Sequence, residues 1–380
     1  MLMKLSTDGP QMAMRCTTSV RHYVPGGCEN GGGIGRLVGY IVGTAKEGGA
    51  EHTVTDTRGP RWSAATSPLR LLGAILAMAK DRILDPARIH HIHVAGRGST
   101  SRKLILTEAA RWLGCFHILH LHDYDYAGDF AERSPRQQSL IRRMFQRADC
   151  VVALGQRDRT TLATRLGVDE RRLVIAHNCV PDPGPHSIRA GEPPLIVFLG
   201  RLSERKGVPE LLLALSHPLM KELRWRAVLA GDGPVEDYRR QAADLGLSGR
   251  VEMPGWLGAD EARALCARAD ILALPSHAEG LAMAVLEGLS HGLAVVTTRV
   301  GAHEEVISDG KNGVFVPVGD KDALAAALAK LVADPDARSR LSAGARAHYL
   351  NHFSMKAYMR SMEKLYETIS AQPQARVSAQ

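Results

Sequence analysis

No stretch of this chain holds the roughly 18 consecutive apolar residues that a membrane-spanning helix needs. The opening residues, MLMKLSTDGPQMAMR, lack the apolar core of a secretory signal. The six cysteines, Cys16, Cys28, Cys115, Cys150, Cys179 and Cys266, form no CxxC pair and no regular spacing. That excludes a disulfide framework and a thiolate zinc site, and it points to a reducing, cytoplasmic compartment. Aromatic residues make up only 5% of the chain, and Phe145 alone lies among the arginine clusters at 133–147 and 157–172. A surface that stacks nucleic-acid bases interleaves aromatics with its cations, so nucleic acid is not an expected partner.

What is present describes a soluble enzyme of ordinary balance, 45% apolar and 23% charged over 380 residues, longer than one core usually supports. The net charge of +8 sits in the first half, up to Arg189. Arg133, Arg136, Arg142, Arg143 and Arg147, then Arg157, Arg159, Arg165, Arg171 and Arg172, fit either solvated helix faces or peripheral contact with anionic lipid or a pyrophosphate-bearing lipid.

The most informative stretch is Ile271 to Thr298, ILALPSHAEGLAMAVLEGLSHGLAVVTT. An apolar strand, Ile271 to Leu274, breaks at Pro275-Ser276-His277. A helix carrying Leu281, Met283, Val285, Leu286 and Leu289 follows until Gly292, and a β-branched run from Val295 to Thr298 closes the unit. Glu279 marks the helix mouth, and Glu287 falls about two turns, roughly 12 Å, further along nearly the same face. A helix N-terminus suits a diphosphate, and a carboxylate accepts hydrogen bonds from the paired hydroxyls of a sugar or ribose. Alone, two such acids are more often a first-turn acid and a solvated surface residue.

The pattern SHAEGLAMAVLEGLSHGLAVVTT, continued by Gly301 and Glu304-Glu305-Val306-Ile307, resembles the donor-binding signature of the retaining glycosyltransferases of family 4, the group 1 transferases. The resemblance is close from Leu195 to about Phe353 and loose before it. It implies an α/β fold of two doubly wound Rossmann-like domains facing across a cleft, the GT-B arrangement. It also places Glu279 at the transferred sugar and Glu287 at the ribose hydroxyls, with Gly280 and Leu281 beside the donor. The segment Gly200-Arg201-Leu202-Ser203-Glu204-Arg205-Lys206-Gly207 follows an apolar strand, Leu195 to Leu199. A guanidinium fork and an ammonium point charge together neutralise a departing diphosphate. In the family resembled this segment does so, making Arg201 and Lys206 the expected catalytic cations and Gly200 a donor contact. Where Val251 to Trp256 ends a strand, family members hold the base through backbone groups, which puts Met253 among the donor residues.

In the first half, Met12 to Thr17 reads as the first strand and SVRHYVPGGCENGGGIGR as a glycine-rich loop, before a helix from Ile34 toward Ala45. Gly31-Gly32-Gly33-Ile34-Gly35 can wrap a phosphate against the helix mouth; in the family a glycine pair here, Gly32 and Gly33, closes over the donor. A dinucleotide fingerprint is the rival, with Glu51 or Asp56 as its acid, but the glycines arrive late and as GGGIG rather than GxGxxG.

The strand Ile89 to Ala95 carries His90, His91 and His93. Zinc recruits further ligands from elsewhere, and no acidic or cysteine partner stands nearby, so no metal is expected. That strand enters GRGSTSRK at a sheet edge, which makes Arg97, Ser99, Arg102 and Lys103 acceptor-side candidates. A further strand, Phe116 to Leu121, ends in His122-Asp123-Tyr124-Asp125-Tyr126. Its Asp-x-Asp spacing fits the metal clamp of another transferase architecture, which lacks the two-glutamate segment, and the clamp is rejected. By resemblance His122 is the active-site histidine that meets the transferred sugar; His120, two residues back on the same side, is not separable from it by sequence.

The expected organisation is an acceptor-side domain at 1–185, a proline-rich linker at 186–194, and a nucleotide-sugar domain at 195–350. A helix at 351–370 crosses back to the first domain, and 371–380 is a disordered tail. The expected function is metal-independent, retaining transfer of a hexose from a nucleotide-diphosphate sugar to a hydroxyl of a glycan acceptor, free or carried on a polyprenyl diphosphate, in surface polysaccharide synthesis, without a cofactor. An NAD-dependent oxidoreductase and a non-catalytic sugar-nucleotide or lipid-binding protein are the rivals.

Overall fold

A computed structural model describes residues 18–45, 51–184 and 192–371. The strand expected at Met12–Thr17, most of the 186–194 linker and nearly all of the 371–380 tail lie outside the described residues.

Two six-stranded sheets organise the chain. The first contains β1 (Ser19–Val24), β2 (Glu51–Asp56), β3 (Ile89–Val94), β4 (His117–Leu121), β5 (Cys150–Ala153) and β6 (Leu173–Ile175), in the order β2-β1-β3-β4-β5-β6. The second contains β7 (Leu195–Leu199), β8 (Arg226–Ala230), β9 (Val251–Gly255), β10 (Ile271–Leu274), β11 (Ala294–Thr298) and β12 (Val314–Val316), in the order β12-β11-β10-β7-β8-β9. Every strand pairing within them is parallel. Parallel strands need crossover helices, which cover both faces, so central strands such as Leu195–Leu199 and Ile271–Leu274 read as unbroken apolar runs. Ile196, Val197, Phe198, Leu272 and Leu274 are fully buried, each side chain contributing about 1.5–3 kcal/mol. The fold is the two-domain doubly wound α/β class.

Strand β1 corrects the sequence reading, which placed Ser19–Val24 in a loop. Its polar residues hide the alternation because they have buried partners: Arg21 is ion-paired with Asp81, and His22 bonds two other histidines. Val20, Tyr23 and Val24 are fully buried between them.

The first sheet packs one face on the helices Ser67–Leu84, Gly98–Trp112 and Pro135–Gln146. Its other face meets the helix Gly32–Ala45 and the last helix, Met355–Ser370, which brings Tyr358, Met359, Met362 and Tyr366 from the chain's end onto the first sheet. Tyr366 Oη lies 2.9 Å from His91 Nδ1, and Cys179 Sγ 3.2 Å from Met355 Sδ. The five cysteines among the described residues are free thiols, and no helix there is long and apolar enough to cross a membrane.

Candidate active site in the interdomain cleft

Ligands of open α/β sheets bind beyond the carboxyl ends of the strands, where the strand order reverses. In the second sheet that point lies between β7 and β10, whose following loops carry Gly200–Gly207 and Pro275–Ala282. In the first it lies between β1 and β3, whose loops carry the glycines 26–33 and Gly96. The loops face one another across a cleft of about 440 Å³. Gly32, Gly33 and His122 line it from the first domain; Gly200, Arg201, Lys206, Glu279, Gly280, Leu281 and Glu287 line it from the second.

Glu279 is the most constrained of these. Its side chain is 8% exposed, Lys206 Nζ lies 2.5 Å from Oε1, and Arg205 Nη1 lies 3.7 Å from Oε2. Ser276 Oγ donates to Oε1 at 2.8 Å. Burial alone would raise its pKa, but the Lys206 charge and hydrogen bond, with Arg205, outweigh it and hold the carboxyl below its usual value. Glu279 is therefore an anion with an adjacent cation, both at the cleft wall.

The backbone here differs from the expected helix. The helix runs only from Met283 to Ser290, so Glu279 stands on the preceding loop and not on one helix face with Glu287. The loop is held open by the 301–302 turn: Ala302 N donates to Gly280 O at 2.7 Å, and a Cβ on Gly301 (φ 57°) would sit 2.1 Å from Gly280 O. Only glycine lets that turn approach so closely. Gly207 does the same for the cation loop, since a Cβ there (φ 70°) would sit 2.1 Å from Pro275 O. The Lys206 and Glu279 loops are thereby pressed together.

Glu287 takes Arg36 Nη1 on Oε1 at 2.8 Å, an ion pair between the two domains, while its buried Oε2 has no partner among the described residues. Glu287 lines the cleft, where a carboxylate is what a hydroxyl-bearing ligand would use, and Oε2 itself is covered in this structure. Arg36 also lies 5.8 Å from the Trp256 ring centroid, and Trp256 is 60% exposed at the cleft.

Other expected residues fare differently. Arg201 is on the cleft rim, 62% exposed and 3.0 Å from Asp232. Met253 does not line the cleft: it is buried, and its carbonyl accepts a hydrogen bond from Arg239. Trp256 and Leu257, past the end of β9, line the cleft in its place. Among the acceptor-side candidates none lines the cleft. Lys103 is wholly buried, donating to Tyr23 O at 3.2 Å and Thr57 Oγ1 at 3.0 Å, and burial pulls its pKa well down. Ser99 is buried and accepts from Ala95 N at 3.3 Å. Burial also lowers the pKa of Arg102. Arg97 points along the surface to Tyr124 Oη at 2.9 Å.

Arg205 was missed in the sequence. It lies within 4.6 Å of the Tyr124 ring centroid and donates to Ala278 O at 2.5 Å, tying the cation loop both to the first domain and to the Glu279 loop. Its only sequence signal was the neighbouring KG. A second tie is Glu305, whose Oε1 accepts from Gln156 N at 2.7 Å and whose Oε2 lies 3.1 Å from His177 Nε2.

Both acids weighed for a dinucleotide are otherwise engaged: Glu51, at the start of β2, pairs with Arg88 at 3.3 Å. Asp56 Oδ1 accepts from Gly26 N at 2.7 Å and from Arg58 N and Gly59 N at 2.9 Å, and Oδ2 pairs with Arg70. The carboxylate that a nicotinamide dinucleotide would need for its ribose closes a turn instead.

His122 lines the cleft, whereas His120 is wholly buried behind it. Histidines distant in the chain gather around His91 and His93. His90 faces the other side of the sheet and bonds Tyr23 Oη at 2.9 Å, while His91 and His93 are joined by His22, His120 and His122. His22, His91 and His93, and also His93, His120 and His122, bring ring nitrogens within 4.8 Å of one another, close enough to raise the metal question again. The partners were invisible along the chain because the parallel register, not sequence proximity, sets His22 level with His91 and His120 level with His93.

The two sheets, the cleft at both switch points and the anion–cation pair within it define a two-domain doubly wound α/β protein with a ligand site between its sheets. The family comparison is specific: residues 185–348 match the glycosyl transferases group 1 and residues 38–182 match glycosyltransferase family 4, and the chain belongs to this family. It is 27% identical to the lipopolysaccharide core biosynthesis glycosyltransferase LpsE of Rhizobium meliloti, over 86% of this chain and 93% of that one. It is 32% identical to a D-inositol 3-phosphate glycosyltransferase of Corynebacterium jeikeium, over 78% and 76%. Among solved structures, sucrose-phosphate synthase from Thermosynechococcus elongatus superimposes with a TM-score of 0.75 at 17% identity, covering 93% of this chain and 99% of that one. HepE of Anabaena, in complex with UDP-glucose, gives 0.71 at 17% identity, covering 92% and 99%.

Proposed function

We propose that this glycosyltransferase moves a hexose, with retention at the anomeric carbon and without a metal ion, from a nucleotide-diphosphate sugar to a hydroxyl of a lipid-linked glycan in surface polysaccharide synthesis. The observation that carries the reading is the Glu279–Lys206 pair in the cleft, with Glu287 lining the same wall. In this reading Glu287 holds ribose hydroxyls, Gly32 and Gly33 close over the phosphates, and Glu279 and His122 meet the sugar. Lys206, Arg205 and Arg201 supply the positive charge on which the leaving diphosphate develops its negative charge. Because that charge comes from fixed side chains, the reaction does not need a divalent ion. A donor phosphate oxygen takes the acceptor proton on the face the diphosphate leaves, so configuration is kept. Relatives named for lipopolysaccharide core and colanic acid synthesis support the surface-glycan setting, and a neighbour bound to UDP-glucose supports the donor class.

A cytoplasmic enzyme with a lipid-linked acceptor works at a membrane surface, and one face suits that. On the helix Ser67–Leu84, Leu69, Leu72, Leu76 and Ile83 are each more than half exposed, with Ile105 and Trp112 on the adjoining helix. Arg70, Lys80 and Arg111 stand exposed among them, the mix of apolar and basic side chains that an anionic lipid surface attracts. The arginine clusters expected to do this are partly tied into the fold: Arg142 donates to Arg165 O, Arg172 to Gln146 O, and Arg159 pairs with Glu170.

The test is a panel of UDP-, GDP- and ADP-sugars screened for thermal stabilisation, followed by transfer assays on wild type and Glu279→Gln. One donor class should stabilise both proteins and support transfer only in wild type. Stabilisation by NAD with none by any sugar nucleotide would reject the reading.

A further inference from the structure

Four imidazoles run in a single hydrogen-bonded file from β2, at the edge of the first sheet, to the cleft. His52 Nδ1 lies 2.8 Å from His22 Nε2, His22 Nδ1 3.0 Å from His93 Nε2, and His93 Nδ1 2.9 Å from His122 Nε2. His22 and His93 are wholly buried, and His52 is buried with its Nε2 lacking any partner among the described residues. At the other end His122 lines the cleft, and its Nδ1 is the ring nitrogen left outside the file.

Burial holds His22 and His93 well below the usual imidazole pKa and His52 at about 4, so at neutral pH each ring carries one N–H and one lone pair. Neighbouring neutral rings bond only when one donates and the other accepts. The whole file must therefore point one way. Run toward the cleft, every Nδ1 carries the proton, His52 ends in a bare lone pair, and His122 offers an N–H to the cleft. Run the other way, His52 ends in a buried N–H without an acceptor and His122 offers a lone pair. A buried N–H without an acceptor is the rarer orphan, and the first direction avoids it.

A shared metal ion fits this geometry less well. Two nitrogens bound tetrahedrally to zinc at about 2.0–2.1 Å stand roughly 3.3 Å apart, wider than the 2.8–3.0 Å separations here. Both nitrogens of His22 and both of His93 are already engaged in the file.

We propose that His93, His22 and His52 are positioning residues that fix His122 as its Nδ1–H tautomer, so that it acts in the cleft as a hydrogen-bond donor to an oxygen of the bound sugar and not as a base. The proposal rests on the reading that the cleft takes a sugar donor. The tautomer itself does not, and can be read without substrate.

The first measurement is a long-range proton–nitrogen spectrum of the full chain labelled with ¹⁵N-histidine, with His122 assigned through His122→Gln, alongside elemental analysis of the purified protein. The expected result is a protonated Nδ1 and a bare Nε2 on His122, with no transition metal at stoichiometric level. A bare Nδ1, or one bound metal per chain, overturns the proposal. The second compares His93→Asn, whose amide can donate to His122 Nε2, with His93→Asp, nearly the same shape but able only to accept when ionised. The aspartate variant should lose about tenfold or more in kcat/KM for the donor, while the asparagine variant stays within about threefold of wild type. Equal kcat/KM in the two variants also overturns it, and should the aspartate variant fail to fold, the spectrum of the native protein decides.

Discussion

Replacing Lys206 with methionine keeps most of the side chain's volume and removes only the charge that faces Glu279. In the native cleft the ammonium is 2.5 Å from a carboxylate that is 8% exposed, and the lysine side chain itself is 13% exposed. Removing one partner of a buried pair leaves the other uncompensated, at a cost of about 3 to 5 kcal/mol. Arg205 at 3.7 Å and Ser276 at 2.8 Å remain, so the lower end, about 3 kcal/mol, is expected. The pH dependence has a definite sign. In the native chain the Glu279 pKa is depressed, so its contribution is present above the unfolded value and lost as pH falls through the folded one. Without Lys206, burial dominates and the pKa rises, so the folded state holds a proton that the unfolded state releases. The variant should then lose more stability at pH 8 than at pH 4. Adding Glu279→Gln removes the stranded charge, and the double variant should regain about 2 kcal/mol of the loss at pH 8. Transfer should stay down by roughly 10² to 10³ in both, because the charge stabiliser is gone in both. Urea denaturation at the two pH values with a donor-turnover assay measures all of this. An unchanged urea midpoint in Lys206→Met, or a double variant no more stable than the single, would refute the reasoning.

Other outcomes follow from the same geometry. Asp158 has its pKa raised to about 7, by burial first and then by Asp123 and Glu305 against the opposing pull of Arg157. A raised carboxylate costs stability as pH climbs from about 4 to 7, so Asp158→Asn should gain on the order of 2 kcal/mol at pH 8 and nothing at pH 4, read by denaturant midpoints. Glu287→Ala should raise donor KM about tenfold with kcat within a few fold, since it removes binding shared by ground and transition states; an unchanged KM would remove Glu287 from the donor site. Leu72→Glu with Leu76→Glu should cut sedimentation with anionic vesicles at least about tenfold while leaving transfer to a soluble acceptor intact, and equal sedimentation would discard the membrane face.

The residues that were legible in the sequence were those whose signal is local. Leu195–Leu199 and Ile271–Leu274 are buried on both faces and read as apolar runs; Gly292 ends its helix in a left-handed conformation, φ 65°. Lys206, Glu279 and Glu287 stand in a stretch dense with family signature, and the cleft brings them together. What failed depends on contacts between distant segments. Ser19–Val24 looked like a loop because the partners of Arg21 and His22 lie 60 and 71 residues away, at Asp81 and His93. Glu279 looked helical because nothing near it announces that Gly301 will hold its loop open. Lys103 and Ser99 looked like a basic, ligand-facing loop, but the helix Gly98–Trp112 turns both toward the interior. Met253 was expected to offer backbone groups to a base, but its carbonyl is already taken by Arg239, which cannot be read from order alone.

The central claim is that the cleft lined by Glu279, Glu287 and Lys206 holds the activated sugar. A crystal structure of the chain with a non-hydrolysable form of the donor that the thermal screen selects tests it most directly. The account predicts the diphosphate against Lys206 and Arg201, the ribose hydroxyls on the Glu287 carboxylate and the sugar beside Glu279 and His122. A donor bound elsewhere on the molecule, with the Lys206–Glu279 pair untouched, would contradict it.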